Sequence, residues 1–249
     1  MEEVLVYFSL KYKGDFNKIL QALKKKEKVG EDRDLLLKQV KCKYTTIISN
    51  DYPEALKQIN CPPFVLYYYG DLEILKTHCI GVIGMRVPSA YGKSATNRFV
   101  YDLVCHHYTI VSGMALGIDT VAHRTALNNN GKTVAILGGG IDYCYPKRNL
   151  DLYNQIKENH LIISEYPGDL VPRQEYFPQR NRLIAGLSES LLVTEAKKRS
   201  GTMITVGFAL DQGKEIFCVP GRITDNNGCN YLIQQGAKLV MSVHDLLDE

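Results

Sequence analysis

The sequence has no tryptophan, no pair of cysteines two residues apart and no apolar run approaching the length of a bilayer span. Each absence closes a class of protein. Seven cysteines, at positions 42, 61, 79, 105, 144, 218 and 229, are odd in number and scattered. That pattern argues against a disulfide framework or a zinc site and for a reducing compartment, the cytoplasm. The histidines offer neither H-E-x-x-H nor H-x-x-x-H spacing, and the adjacent His106 and His107 point two ways, so a metal centre has no support. Without roughly 20 consecutive apolar residues no helix spans a membrane, and Met1-Glu2-Glu3 is acidic where a secretory leader is basic. No fixed repeat and no low-complexity tract is present. What remains is 249 residues, 45% apolar and 23% charged, enough for a sizeable core, with a formal charge of only +3. That balance leans mildly toward anionic partners.

Two textures divide the chain. Residues 1 to about 60 are lysine-rich (Lys24, Lys25, Lys26, Lys28, Lys38, Lys41, Lys43), with Ile19, Leu20 and Leu23 at helical intervals, and predict a small helical domain. Breakers at Tyr52-Pro53 and Pro62-Pro63 set a boundary near residue 60. Beyond it, β-branched apolar runs at 79–83, 109–111, 133–137, 161–163, 191–193, 215–219 and 238–241 alternate with helical patterns. Runs lacking in-out alternation suit strands covered on both faces, so 61–249 predicts an α/β, Rossmann-like domain with a mostly parallel sheet.

Glycines fall where those strands end: Gly84, then Gly113 and Gly117, then Gly138, Gly139 and Gly140. Ligands of open α/β sheets bind at the carboxyl ends of strands, where glycine lets backbone N–H groups approach a phosphate. Tight turns also favour glycine for their own sake. Gly92-Lys93-Ser94 and Gly131-Lys132-Thr133 both lack the leading glycine of a P-loop, and 138–143 lacks the last glycine of the dinucleotide fingerprint. Neither ATP nor NAD has positive support, and no cofactor is expected. Ser200-Gly201-Thr202 opens a helical segment and is a better anion site, or a plain helix cap. Arg180-Asn181-Arg182 and Lys197-Lys198-Arg199 flank the preceding strand, and arginine recognises phosphate bidentately. Asp119 and His123, four apart on one helix face, suit a general-base pair or a structural tie; Ser112 lies nearby without a nucleophile elbow. Among 16 tyrosines, Tyr143 and Tyr145 stand beside Lys147 and Arg148, and Tyr176 and Phe177 follow Arg173. Rings beside cations suit single-stranded nucleic acid, bases stacking while cations track phosphates. For Tyr67, Tyr68 and Tyr69 core packing is the expectation.

Taken together these residues resemble one family. Ser112-Gly-Met-Ala-Leu-Gly-Ile-Asp119 with Ala122-His123, Ala135-Ile-Leu-Gly-Gly-Gly-Ile-Asp142 with Tyr145-Pro146, Ser164-Glu-Tyr-Pro167 and Phe177-Pro-Gln-Arg-Asn-Arg-Leu-Ile-Ala185 are similar to the DNA-processing protein A (DprA/Smf) family. Glu195-Ala196, Ser200-Gly201-Thr202 and Val219-Pro-Gly221 continue the match, which runs in order over roughly 50 to 240. The resemblance implies a non-catalytic homodimer that binds single-stranded DNA, protects incoming strands during natural transformation and loads the recombinase RecA. It matches Arg86 to the arginine of a Gly-Ser-Arg motif, here with Met85 in place of serine, and Arg180 and Arg182 to an Arg-Asn-Arg motif on a phosphate pocket. The candidate DNA-binding residues are then Gly84, Arg86, Ser112, Gly113, Gly117, Lys147, Arg180, Asn181, Arg182, Ser200, Gly201 and Thr202. The winged-helix domain that many members carry is not expected after residue 249. Two other readings compete: a nucleotide-phosphate hydrolase with Glu195 or Asp119 as base, and a nucleotide-sensing scaffold without turnover.

Overall fold

The β-branched runs become strands of one sheet because each supplies side chains to both of its faces. The computed structural model describes residues 1–223 and 227–247; residues 248 and 249, where the expected chain end falls, lie outside the described residues. Helices α1 (Glu2–Lys11), α2 (Phe16–Lys24) and α3 (Arg33–Leu37) lead into strand β1 (Lys43–Thr46), helix α4 (Glu54–Lys57) and strand β2 (Val65–Tyr69). The alternating part follows: β3 (Cys79–Gly84), α5 (Ala90–Cys105), β4 (Thr109–Ser112), α6 (Ile118–Asn128), β5 (Thr133–Ile136), α7 (Leu150–Asn159) and β6 (Leu161–Ser164). It continues through α8 (Tyr176–Gly186), β7 (Ser190–Glu195), α9 (Gly201–Asp211), β8 (Glu215–Cys218), α10 (Gly228–Gln234), β9 (Lys238–Leu239) and α11 (His244–Leu247).

The sheet order is β1-β2-β6-β5-β4-β3-β7-β8-β9. β1 and β2 pair antiparallel at one edge, β2 pairs antiparallel with β6, and every pairing from β6 to β9 is parallel. The mostly parallel Rossmann-like sheet expected from the sequence is present. β1 lies inside the first 60 residues, in the stretch read as helical. Lys43-Tyr44-Thr45-Thr46 is too short to carry a period of its own, and only its register against β2 (Thr45 opposite Leu66) makes it a strand.

Alternate residues of each strand face opposite cores. Val134 and Ile136 of β5, Leu161 and Ile163 of β6, and Leu191 and Val193 of β7 pack with Leu183 and Ile184 of α8 and Val206 and Ala209 of α9. On the other face, Ile80 and Val82 of β3 and Leu192 of β7 meet Phe99 and Leu103 of α5 and Ala122 of α6. Farther along that face, Leu5 and Val6 of α1 join Tyr67, Ala135, Ile162 and Leu152. Tyr67 is fully buried, and its hydroxyl donates to Ser9 at 3.0 Å, tying the helical segment to the sheet.

After β3 the chain steps to β4, β5 and β6 on one side; after β7 it steps to β8 and β9 on the other. The connections therefore diverge between β3 and β7, and in an open α/β sheet that reversal leaves a crevice outside the carboxyl ends of the two strands.

Candidate functional site

The crevice is a cavity of about 640 Å³, and three chain segments form most of its wall: 83–87 at the end of β3, the α8 face carrying Phe177, Arg180 and Asn181, and the N-terminus of α9, with Ala115, Asp119 and Tyr145 also lining it. Of the residues singled out in the sequence, it gathers Gly84, Arg86, Asp119, Tyr145, Phe177, Arg180, Asn181, Ser200, Gly201 and Thr202. Lys197, of the Lys197-Lys198-Arg199 run that flanks β7, lines it as well.

Arg180 is the central side chain. It is 4% exposed, and its Nη1 donates to the carbonyls of Gly113 and Ile136, at the carboxyl ends of β4 and β5, while Nε donates to Asn181 Oδ1 at 3.2 Å. Its Nη2 has no hydrogen-bond acceptor among the described residues. Burial pushes the guanidinium down to about 10, with Asp119 opposing that shift and the charge of Arg86 adding to it. Arg180 therefore stays charged at neutral pH beside a second cation. Arg86 is exposed, with its guanidinium 5.5 Å from the centre of the Phe177 ring. Two like charges facing one cavity favour an anion between them.

Three of the glycines act by making room. A Cβ at Gly113 would lie 2.6 Å from the Arg180 guanidinium, so glycine is what lets that arginine reach two strand ends. Gly117 takes φ +83°, and a Cβ there would fall 2.2 Å from the Met85 carbonyl, against the backbone that presents Arg86. At Gly84 a Cβ would meet Ile118 at 2.6 Å, so α6 packs closely on the end of β3. None of the three needs to touch a ligand to matter. Ser112 likewise points inward, donating to the Val82 carbonyl at 2.7 Å and lacing β4 to β3.

The N-terminus of α9 faces the cavity. Ser200 makes no side-chain cap; its hydroxyl donates to the Lys197 carbonyl at 2.9 Å, and Thr202 donates to the Gly84 carbonyl at 3.0 Å. The backbone N–H groups of Gly201 and Thr202 are left for whatever enters, at the positive end of an 11-residue helix.

The Arg-Asn-Arg motif divides. Two residues after Arg180 on the same helix, Arg182 points to the other side, where it is 3% exposed and bound to Glu165 through Nη2–Oε2 at 2.6 Å and Nη1–Oε1 at 3.0 Å. It also donates to the carbonyls of Cys61 and Gln179. Arg182 is outside the cavity. Lys147 is outside it too, 4.3 Å over the Tyr143 ring, beside a smaller slot of about 90 Å³ where Tyr143, Tyr145 and Phe177 adjoin Gly138 and Gly139. Arg86 and Arg180 line both spaces, so the slot opens off the cavity.

Asp119 and His123 do not bond each other. Asp119 accepts from the N–H groups of Gly113 and Ala115, both at 3.2 Å, and fixes the turn beneath Arg180. Burial raises its pKa, an effect that Arg180 opposes. His123 pairs through Nδ1 with Thr133 Oγ1 at 2.7 Å; that hydroxyl already donates to the Ile110 carbonyl, so the ring nitrogen is the donor. Its Nε2 is buried and has no partner among the described residues, and burial holds the ring down at about 3, hence neutral. Glu195 accepts from the Ser89 N–H at 2.8 Å, at the start of α5. Among the described residues no three metal-ligating side chains converge, and no helix is long and apolar enough to cross a membrane.

Residues 43–249 match the DNA recombination-mediator protein A family. The chain is 44% identical over 206 residues to the DNA processing protein DprA of Streptococcus pneumoniae, covering 82% of this chain and 73% of that one. A crystal structure of DNA processing protein A from the same organism superposes with TM-score 0.87 at 35% identity, covering 100% of this chain and 98% of that one. A structure of DNA processing protein A from Helicobacter pylori, reported for its single-stranded DNA binding mode, superposes with TM-score 0.76 at 31% identity over 84% of this chain and 95% of that one.

Proposed function

The chain belongs to the DNA recombination-mediator protein A family, and from that membership and the cavity's geometry we propose that it binds single-stranded DNA without sequence preference. One observation carries the reading: Arg180, buried at the strand ends with a free Nη2, shares a cavity with Arg86 and with the open N-terminus of α9. A strand phosphate seated there neutralises two guanidinium groups and takes the α9 N–H groups as donors. Adjoining bases enter the slot beside Tyr143, Tyr145 and Phe177, with Lys147 at its rim. Stacking on rings tolerates any base, which accounts for indifference to sequence. Gly84, Ser112, Gly113, Gly117, Asp119 and Asn181 serve by holding the arginines in place.

Protection of incoming strands during natural transformation, loading of RecA onto them and a homodimeric state belong to the same reading and rest on the family resemblance, while a cytoplasmic setting rests on the odd, scattered cysteines. The geometry lends the hydrolase alternative little, because both of its candidate bases are engaged with backbone N–H groups: Glu195 with Ser89, and Asp119 with Gly113 and Ala115.

Fluorescence anisotropy of a labelled oligothymidylate tests the proposal. Among the described residues Arg86 has no hydrogen-bond acceptor, so Arg86→Ala leaves the melting temperature unchanged and weakens binding by about tenfold to a hundredfold at low salt, the range of one charged hydrogen bond. The dependence of log K on log salt becomes shallower by about 0.7. Binding by Arg86→Ala equal to that of the unsubstituted chain overturns the cavity as the phosphate site.

A further inference from the structure

On the opposite side of α8 from the cavity lies a second concavity, a cleft of about 570 Å³ between the α1–α2 turn and the start of α8. We propose that this cleft holds a further nucleotide of the same single strand, beyond the stretch held in the cavity. The inference rests on the strand-binding reading above and extends it to a surface that reading does not use.

One helix serves both spaces. Phe177, Arg180 and Asn181 face the cavity, whereas Tyr176, Gln179 and Arg182, three residues apart, face the cleft. Residues 173–177 form a common wall, since Gln174 lines the cavity while Arg173 and Glu175 line the cleft. A strand leaving the cavity over Gln174 meets Arg173 and Tyr176 next.

The cleft has the two components that single strands require. Tyr176 stacks on Tyr166 with ring centres 4.2 Å apart and planes 21° apart; Tyr166 is buried and Tyr176 only half-buried, so the pair is a fixed platform with one open ring. Arg173 lies 6.0 Å from that ring. Across the cleft stand Lys11 at the end of α1, Lys13 on the α1–α2 turn and Lys18 in the first turn of α2. That turn is locked in place: Gly14, at φ +74°, lies so close to the sheet that a Cβ would be 2.6 Å from the Glu165 carbonyl. The lysines are therefore held opposite the tyrosines rather than carried on a free arm.

Charge favours an anion. Lys13 is exposed and has no acidic partner among the described residues. Lys18 with Asp15 at 3.6 Å and Arg173 with Glu175 at 4.0 Å are exposed pairs that hold weakly and can exchange a carboxylate for a phosphate. Lys11 is more firmly held by Glu27 at 2.7 Å. Asp15, Glu175 and Glu165 also line the cleft, but Glu165 is matched by Arg182 at its floor, which carries no net charge. A volume within the roughly 300–1,000 Å³ of small-ligand sites fits one nucleotide between platform and lysines.

The experiment compares oligothymidylates of about six and about twenty nucleotides, lengths that bracket common single-strand site sizes, in anisotropy titrations of the whole chain. The double charge reversal Lys13→Glu with Arg173→Glu changes two exposed side chains, and Tyr176→Ala removes the platform while Tyr176→Phe keeps it. The expected result is unchanged six-mer affinity throughout. For the twenty-mer, Tyr176→Ala weakens binding by about five- to a hundredfold, Tyr176→Phe restores it, and the double reversal makes the salt dependence shallower by about 1.4. A twenty-mer affinity unchanged in the double reversal overturns the cleft and leaves the cavity reading standing. Equal losses at both lengths in that variant overturn it as well, because the charges then act on the protein's field as a whole. If the unsubstituted chain binds neither length, the cavity reading falls and the cleft with it.

Discussion

At the scale of single residues, the same residue types separate into those that face a ligand and those that make the facing possible. Arg86 and Arg180 share one cavity, yet one is exposed and the other is bonded to two strand-end carbonyls. Arg86 is thus the residue to alter when only binding is to change. His123 makes a different prediction. Its folded pKa, about 3, lies below the ordinary imidazole value of 6.5, so the unfolded chain takes up a proton that the folded chain refuses. The stability that neutral His123 permits is complete above pH 6.5 and is lost as pH falls toward 3, at up to about 1.4 kcal/mol per pH unit. In His123→Asn, whose amide can replace the Nδ1–H donor to Thr133, urea denaturation at pH 6.5 and pH 5 is expected to show a slope smaller by about one proton. An unchanged slope would place the acid sensitivity elsewhere, with half-buried His160 the next candidate. The sequence brought Asp119 and His123 to attention through their spacing of four. It could not show that each is occupied by a different partner, because Thr133 reaches His123 from β5 and Gly113 reaches Asp119 from the end of β4.

At the scale of elements, α8 and α9 do the positioning. Arg180 and Arg182 read as a pair in the sequence, but residues two apart on a helix lie on nearly opposite sides, and the structure sends one to the cavity and the other to Glu165. That division was legible in principle once 176–186 was known to be helical. What hid it was the short, polar character of the segment, whose helical form depends on packing Leu183 and Ile184 against the sheet. The N-terminus of α9 permits a clean test. Gly201 is the first helical residue, Ser200 before it is extended at φ −154° and ψ 165°, and a Cβ at Gly201 meets nothing within 4 Å. Proline fits such a position and removes one N–H. Gly201→Pro is expected to leave the melting temperature unchanged or slightly raised and to weaken oligothymidylate binding several-fold, about 1 kcal/mol, in the range of one hydrogen bond. Undiminished binding would remove the helix terminus from the site.

At the scale of the molecule, a formal charge of +3 is too small to hold DNA by general attraction. On the proposed reading, binding comes from cations concentrated in a few places, and its salt dependence counts them. If Arg86, Arg180 and Lys197 each meet a phosphate, the slope of log K against log salt for a short oligonucleotide is expected near −2, from about 0.7 per phosphate. A slope near zero would contradict phosphate binding altogether. The sequence by itself determined the parallel sheet, because uninterrupted β-branched runs can be buried on two faces only with helices on both sides. It determined family membership and the strand-end glycines as well, since these are properties of local order along the chain. Only the tertiary structure decided that Gly113 serves Arg180, that Arg182 turns away from the cavity and that β1 belongs to the sheet. It also placed the α1–α2 lysines opposite the Tyr166–Tyr176 stack. Each of these joins residues distant in sequence, and such contacts are fixed by how layers pack rather than by the spacing of residues along one element.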